Sequence, residues 1–141
     1  QDFVETIDET FDLIVSNPPF FSGGSKNEIQ NKAIERHNHL LPFSVLISGV
    51  VKLLSKNGRL ALVLPIVPAE EFIEISTSKG LFLNRITRVK PKATKESNRF
   101  LIEFSKENTG AVEDELIIYT DDSSDFTETY KKLTRDFYLK F

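Results

Sequence analysis

The chain has 141 residues, which is the size of a single domain. Its 18 Lys and Arg against 21 Asp and Glu give a net charge of −3, which excludes a uniformly basic nucleic-acid binder but not a local basic surface. There is no Cys, so disulfide scaffolds, thiolate nucleophiles and Cys-ligated zinc are excluded. A hydrophobic content of 40%, with 12 Phe, is enough for a buried core.

Neither a membrane-spanning segment nor a metal site is expected. The longest apolar stretches, Phe43–Val51 and Leu60–Ala69, are far shorter than the roughly 20 residues that span a bilayer. The first twelve residues carry five acids and no base, unlike a secretory signal, so we expect a soluble, cytoplasmic protein. His37 and His39 stand two residues apart, a poor spacing for joint metal ligation on a helix. Since residue 1 is not Met, we expect a piece of a longer protein.

The first part of the chain predicts strand, helix and strand. A short apolar run ends at prolines, which cannot donate to a sheet, and a continuous apolar run follows an amphipathic segment. The predicted elements are a buried strand at Phe11–Ser16, a Gly/Ser-rich loop at Ser22–Asn27, a weak helix at Glu28–Leu40, an amphipathic helix at Leu41–Ser55 with a left-handed cap at Asn57-Gly58, and a buried strand at Arg59–Leu64.

The second part predicts a helix followed by clustered strands. The elements are a helix from Pro68 to Lys79-Gly80, strands at Leu81–Val89, Phe100–Ser105 and Glu115–Thr120, a long hairpin loop at Lys90–Arg99, and a terminal helix at Phe126–Phe137. The aromatic and apolar side chains of that last helix, spaced by three or four, are expected to pack into the core. The pattern is that of an α/β fold with a mixed sheet, in which the late strands pair antiparallel. A strand as apolar as Leu13–Val15 should have neighbours on both sides, more than this chain supplies, so the sheet is expected to be incomplete.

The segment Ser16-Asn17-Pro18-Pro19-Phe20 is the most informative. It follows a predicted strand at its carboxyl end, the edge where open α/β sheets bind ligands. An amide oxygen and a backbone carbonyl held by prolines are two acceptors aimed at one point, which suits an sp² amino group, and the aromatic supplies a stacking face. The alternative is an ordinary turn, since Asn and Pro commonly end strands.

The stretch FDLIVSNPPF resembles motif IV of the class I, S-adenosylmethionine-dependent amino methyltransferases. The resemblance implies that the Asn17 side chain and the Pro18 carbonyl accept from the target amine, that Pro19 holds the turn, and that Phe20 stacks on the base. Weaker likenesses, including those at 33–37 and 58–65, are to the bacterial tRNA adenine-N6 methyltransferases, which implies a tRNA substrate and substrate contacts from Phe21, Arg36 and His37. Arg36 and His37 are also consistent with a solvated helix face.

The glycine-rich cofactor loop of that family has no counterpart in this chain, because Gly23-Gly24 follows the wrong element. The resemblance therefore implies the carboxyl-terminal half of a Rossmann-like class I methyltransferase domain, with an antiparallel last strand and without the cofactor-binding half. It also implies that Asp2 and Phe3 contact S-adenosylmethionine, although Asp2 is equally consistent with a solvated acid near a chain end. An apolar strand without its neighbour is expected to self-associate or to pair with the missing half.

Seven bases and one acid lie between Lys79 and Arg99, a local charge of +6 in an otherwise acidic chain. Such a segment suits phosphate contacts from a folded RNA, and Lys90, Lys92 and Lys95 are the candidates. The alternative is a solvated hairpin whose lysines protect an edge strand. Other functions remain open. The same methyl transfer could act on DNA adenine, on a guanine of rRNA or on a protein glutamine amide, and the chain could instead be a non-catalytic RNA-binding module.

Overall fold

A computed structural model of the chain describes residues 8–18 and 43–138, which build one five-stranded sheet with helices packed on it. The elements are β1 (Phe11–Ser16), α1 (residues 43–53), β2 (Leu54–Pro65), α2 (Ile66–Ser78), β3 (Phe82–Lys90), β4 (Arg99–Ser105), β5 (Val112–Ile117) and α3 (Glu128–Thr134). The predicted loop at 22–27 and the predicted weak helix at 28–40 lie outside the described residues. No helix in the described part of the chain has the length and apolarity needed to cross a bilayer.

The sheet is mixed, and the strand order is β1-β2-β4-β3-β5. Strand β1 runs parallel to β2, and β3 runs parallel to β5, while β4 is antiparallel to both β2 and β3. The predicted mixed α/β fold and the predicted antiparallel hairpin of β3 and β4 are confirmed. The antiparallel strand β4 lies inside the sheet rather than at its edge, because it is inserted between β2 and β3, and the last strand of the chain, β5, runs parallel to β3.

The core forms between one face of the sheet and the helices α1 and α2. Leu60, Leu62 and Leu64 alternate along β2 with partly exposed residues, as expected for a strand with one buried face. Phe72 of α2 is fully buried and its ring contacts those of Phe43 and Phe104, with centroids 5.2 and 5.4 Å away. These edge and tilted ring contacts join helices and sheet into one apolar cluster.

Helix α2 ends at a glycine cap, as predicted. Gly80 has φ +82°, and the amides of Gly80 and Leu81 donate to the carbonyls of Thr77 and Ser76 at 3.3 and 3.0 Å. This is the Schellman arrangement, in which the left-handed residue lets the chain satisfy the last carbonyls of the helix. The start of the helix is two residues before the predicted Pro68.

The second predicted glycine cap, at Asn57-Gly58, is wrong. The helix before it ends at residue 53, and Gly58 lies within β2 without a positive φ. A Cβ atom on Gly58 would stand 2.8 Å from the carbonyl oxygen of Phe11 and 2.9 Å from the Leu54 side chain. The glycine is therefore needed for the close approach of β1 to β2 and not for a turn.

Strand β1 lies where the sequence predicts a strand, but it is not buried on both sides. Among the described residues it pairs only with β2, and it forms one edge of the sheet. Ile14 packs against the core, whereas Leu13 and Val15 on the other face are 61% and 69% exposed. An apolar run predicts a strand, but it does not determine which other parts of the protein pack against that strand.

The predicted core packing of the terminal helix is also wrong. Helix α3 has only seven residues and buries none of them, and Leu133 and Phe137 are 60% and 87% exposed. Phe126 and Tyr130 are partly buried, and the Phe126 ring stacks between those of Tyr119 and Tyr130 at 5.0 and 5.1 Å. Phe126 precedes this helix and Phe137 follows it. The spacing by three and four residues therefore does not place all four side chains on one face of a helix.

Candidate functional site

The predicted motif begins where β1 leaves the sheet. Ser16 is the last residue of β1 and pairs with Leu62 of β2. Asn17 is exposed, and Pro18 after it is buried. The buried proline restricts the backbone on one side of Asn17 and the ladder restricts it on the other, so the amide is presented to solvent from a fixed position. The other motif residues, Pro19 and Phe20, lie outside the described residues, as does Phe21.

The register of the sheet brings several chain segments to the edge at which Asn17 stands, which is the one formed by the carboxyl ends of β1, β2 and β3. Pro65 at the end of β2 pairs with Arg99, and Arg99 in turn pairs with Val89 near the end of β3. The hairpin loop between β3 and β4 therefore leaves the sheet at the same edge as Asn17. Three strand spacings of about 4.8 Å put the ends of β1 and β3 roughly 14 Å apart across the sheet.

The basic residues of β3 are paired with acids of β5, which sequence reasoning missed. Arg85 contacts Asp114, Arg88 lies 3.3 Å from Glu113, and Lys90 lies 2.8 Å from Glu115, these distances being between side-chain nitrogen and carboxylate oxygen. Hydrogen bonds from the Thr87 hydroxyl and then from Arg85 lower the pKa of Asp114, which keeps it ionised. Much of the +6 segment is thus neutralised within the sheet. The run of acids in Val112–Ile117 was visible, but only the parallel pairing of β3 with β5 reveals its partners.

Two of the predicted RNA-contacting lysines, unlike Lys90, form no ion pair with an acid among the described residues. The Lys92 ammonium donates to the carbonyl of Asp121 at 3.2 Å, and Lys95 is exposed in the hairpin loop, with no ion pair to the described residues. Both lie at the edge that carries Asn17. The remaining predicted contacts, Asp2, Phe3, Arg36 and His37, fall outside the described residues. In residues 8–18 and 43–138, no three His, Asp or Glu side chains are grouped to hold a metal ion.

Comparison with curated proteins finds methyltransferases that the chain matches over part of their length. The chain is 40% identical over 141 residues to the tRNA1(Val) (adenine(37)-N6)-methyltransferase of Christiangramia forsetii, covering 99% of this chain and 58% of that protein. It is 37% identical over 139 residues to the protein of the same name from Flavobacterium psychrophilum, covering 99% and 59%. The chain is homologous to part of these methyltransferases. It spans about 58% of the length of the curated relatives that it matches.

Comparison with solved structures gives the same fold. A predicted O-methyltransferase from Agrobacterium tumefaciens superimposes with a TM-score of 0.66 at 22% identity, covering 91% of this chain and 52% of that one. No family model matches the chain. The methyltransferase resemblance predicted from the sequence is confirmed by the adenine-N6 methyltransferase relatives, while the roles of Asn17 and the other motif residues stay predictions.

Proposed function

We propose that the protein transfers a methyl group from S-adenosylmethionine to the exocyclic N6 amine of an adenine in tRNA. The observation that carries the proposal is the exposed amide of Asn17, placed between the end of β1 and the buried Pro18. The names of the curated relatives support adenine N6 as the acceptor. In this proposal the chain is the carboxyl-terminal part of one methyltransferase domain, and a tRNA substrate puts its activity in the cytoplasm.

The chemistry follows from the two acceptors of the motif. The lone pair of an adenine amine is delocalised into the ring, which makes the nitrogen a poor nucleophile. When the Asn17 side-chain oxygen and the Pro18 carbonyl accept its two hydrogens, the nitrogen moves towards tetrahedral geometry and its lone pair points away from both acceptors. Attack then needs no strong base beforehand: the nitrogen–methyl bond would form as the methyl–sulfur bond of the donor breaks, the thioether would leave, and the methylated amine would then lose one proton to water. Phe20 would stack on the base and Pro19 would hold the turn.

Bound S-adenosylmethionine supplies an electrophilic methyl group on a positively charged sulfur. Neither residues 14–18 nor residues 60–65 beside them include a Lys or Arg, so no side chain of these segments would repel the sulfonium. Asp2 and Phe3 are the proposed contacts to its adenine ring.

The acceptor class is tested by offering the protein, at its natural length, unmodified bulk tRNA, rRNA, duplex DNA and a glutamine-containing peptide, each with a labelled methyl donor. We expect label in tRNA alone. Label in DNA, rRNA or peptide would assign the same chemistry to another sp² nitrogen. Tight RNA binding without any transfer would instead make the chain a non-catalytic RNA-binding module.

We further propose that Lys92 and Lys95 contact tRNA phosphates, alongside Phe21, Arg36 and His37. Changing both lysines to Gln should weaken tRNA binding and reduce the slope of log K against log salt by roughly 1.5 to 2, the effect of about two lost phosphate contacts. Fluorescence anisotropy across a salt series measures it. Lys90→Gln should do less, since Glu115 already neutralises Lys90.

Lys56→Gln is the control for this surface, because Lys56 is exposed near the amino end of β2, at the opposite edge. It should leave both the affinity and the salt slope unchanged. A salt slope that does not respond to the loss of Lys92 and Lys95 would move the RNA surface elsewhere.

The exposed edge of β1 leads to a proposal about partners. We propose that another strand covers this edge, either from a second copy of the chain or from a further segment of the protein, because exposed apolar edge strands recruit strands. Light scattering on the 141-residue chain should show association that Val15→Lys weakens. Val67→Lys, at a valine of α2 that is 63% exposed, should have no effect. A monodisperse monomer at high concentration would contradict self-association.

A further inference from the structure

The pairing of β1 with β2 is interrupted at one point. Phe11 pairs with Leu54 and Leu13 pairs with Arg59, so β1 advances two residues while β2 advances five. Residues 55–58 therefore bulge out of the ladder. Beyond the bulge the pairing is regular and runs through Ser16 and Leu62, directly before Asn17.

Gly58 lies buried at the end of this bulge, in contact with β1. A Cβ atom there would stand 2.8 Å from the Phe11 carbonyl oxygen, a backbone atom that cannot rotate away. It would also stand 2.9 Å from Cδ1 of Leu54, which is fully buried in the core. Any side chain at position 58 must therefore push β1 away from β2 or displace the core.

A side-chain hydrogen bond ties the bulge to the same part of β1. The Ser55 hydroxyl donates to Oδ1 of Asp12 at 2.6 Å. Since β2 is the only strand that pairs with β1 among the described residues, these contacts act on the strand's only ladder. A slip of one residue would move Asn17 by about 3.3 Å and turn the side chains of β1 to the opposite face.

We infer that Gly58 is a positioning residue for Asn17. By lacking a side chain it lets β1 lie against β2 where the ladder is interrupted, and it thereby sets the register that carries Asn17, about 20 Å further along the strand. The Asp12–Ser55 hydrogen bond assists in this. The inference rests on the proposed function, because it assumes that Asn17 acts on the acceptor amine.

Gly58→Ala in the natural-length protein tests it. We expect kcat for tRNA methylation to fall by about ten- to a hundredfold, the effect of misplacing a reacting group by about an ångström, with KM for tRNA within about twofold. Gly80→Ala is the matched control. Its positive φ of 82° makes alanine strained there, but nothing lies within 4 Å, and kcat should stay at the wild-type value.

A double-mutant cycle separates positioning from a general loss of folded protein. If Gly58 acts through Asn17, then Gly58→Ala should change kcat by less than about twofold in an Asn17→Ala background. Equal losses in both backgrounds would overturn the inference. A normal kcat for Gly58→Ala in an active enzyme would overturn it too, whereas a wild type without methyl transfer would overturn the proposed function together with the role of Asn17.

A milder pair of variants covers the case in which Gly58→Ala does not fold. Asp12→Ala removes the acceptor of the Ser55 hydroxyl, and kcat should fall about two- to tenfold, as expected for one net hydrogen bond. Asp12→Asn keeps an acceptor oxygen and should restore kcat. Equal kcat values for Asp12→Ala, Asp12→Asn and the wild type would overturn the inference.

Discussion

Asn17→Ala should lower the rate of methyl transfer by about a hundredfold or more, the usual effect of removing one well-placed polar group from a reaction centre. The variant keeps the fold, because Asn17 is exposed and lies after the last pair of the β1–β2 ladder. It loses one of the two acceptors that draw the amine towards tetrahedral geometry. Single-turnover transfer to tRNA measures the effect, and the affinity for the methyl donor should change much less.

Asn108→Ala is the control for this experiment, because Asn108 is an exposed asparagine of the β4–β5 loop at the opposite edge of the sheet. Its rate should match that of the wild type. Near-normal turnover by the Asn17→Ala protein would show that the Asn-Pro-Pro segment is an ordinary turn and would remove the basis of the proposed mechanism.

Phe72→Ala should lower the free energy of unfolding by about 3–5 kcal/mol, as large-to-small changes of buried aromatic residues do. Phe72 is fully buried and contacts the rings of Phe43 and Phe104, so its loss leaves a cavity between α1, α2 and the sheet. Urea unfolding of the variant beside the wild type gives the difference.

The same substitution at Phe137 should change the free energy of unfolding by less than about 0.5 kcal/mol, because the side chain is 87% exposed. The two Phe→Ala variants thus compare a buried and an exposed ring in one protein. A loss at Phe137 as large as that at Phe72 would show instead that the terminal helix packs into the core.

Local patterns predicted the elements whose burial is decided by their own residues. The apolar run of β2, the glycine that ends α2 and the polar loop between β3 and β4 all appear near their predicted places. In each case the propensity of the segment and its place in the fold agree, which is the condition under which a sequence can be interpreted locally.

The errors arose where a distant segment decides the outcome. The exposure of Leu13 and Val15 depends on what packs against their face of the sheet, and the neutralisation of Lys90 depends on the register of β5. Asn57 before Gly58 is typical of a turn, which suggested a helix cap. A glycine is needed at position 58, however, because the Phe11 carbonyl, 47 positions earlier in the chain, leaves no room for a side chain. None of these follows from the spacing of residues within one segment.

Some features of the candidate site could likewise be predicted from one segment of the sequence, and others could not. Asn17 was predicted from a short motif, because strand, prolines and aromatic are contiguous in the sequence. That the β3–β4 loop with Lys92 and Lys95 shares its edge required the strand order, in which β4 lies between β2 and β3. The bulge that sets the register of β1 is a property of two paired strands and has no signature in either strand alone.

The most direct test of the central claim is nucleoside analysis of methylated tRNA. Unmodified tRNA is incubated with the natural-length protein and labelled S-adenosylmethionine, digested to nucleosides, and analysed by mass spectrometry. We expect the label in N6-methyladenosine, at wild-type level with Asn108→Ala and about a hundredfold slower with Asn17→Ala. Label in any other nucleoside, or N6-methyladenosine formed equally fast by Asn17→Ala, would contradict the account.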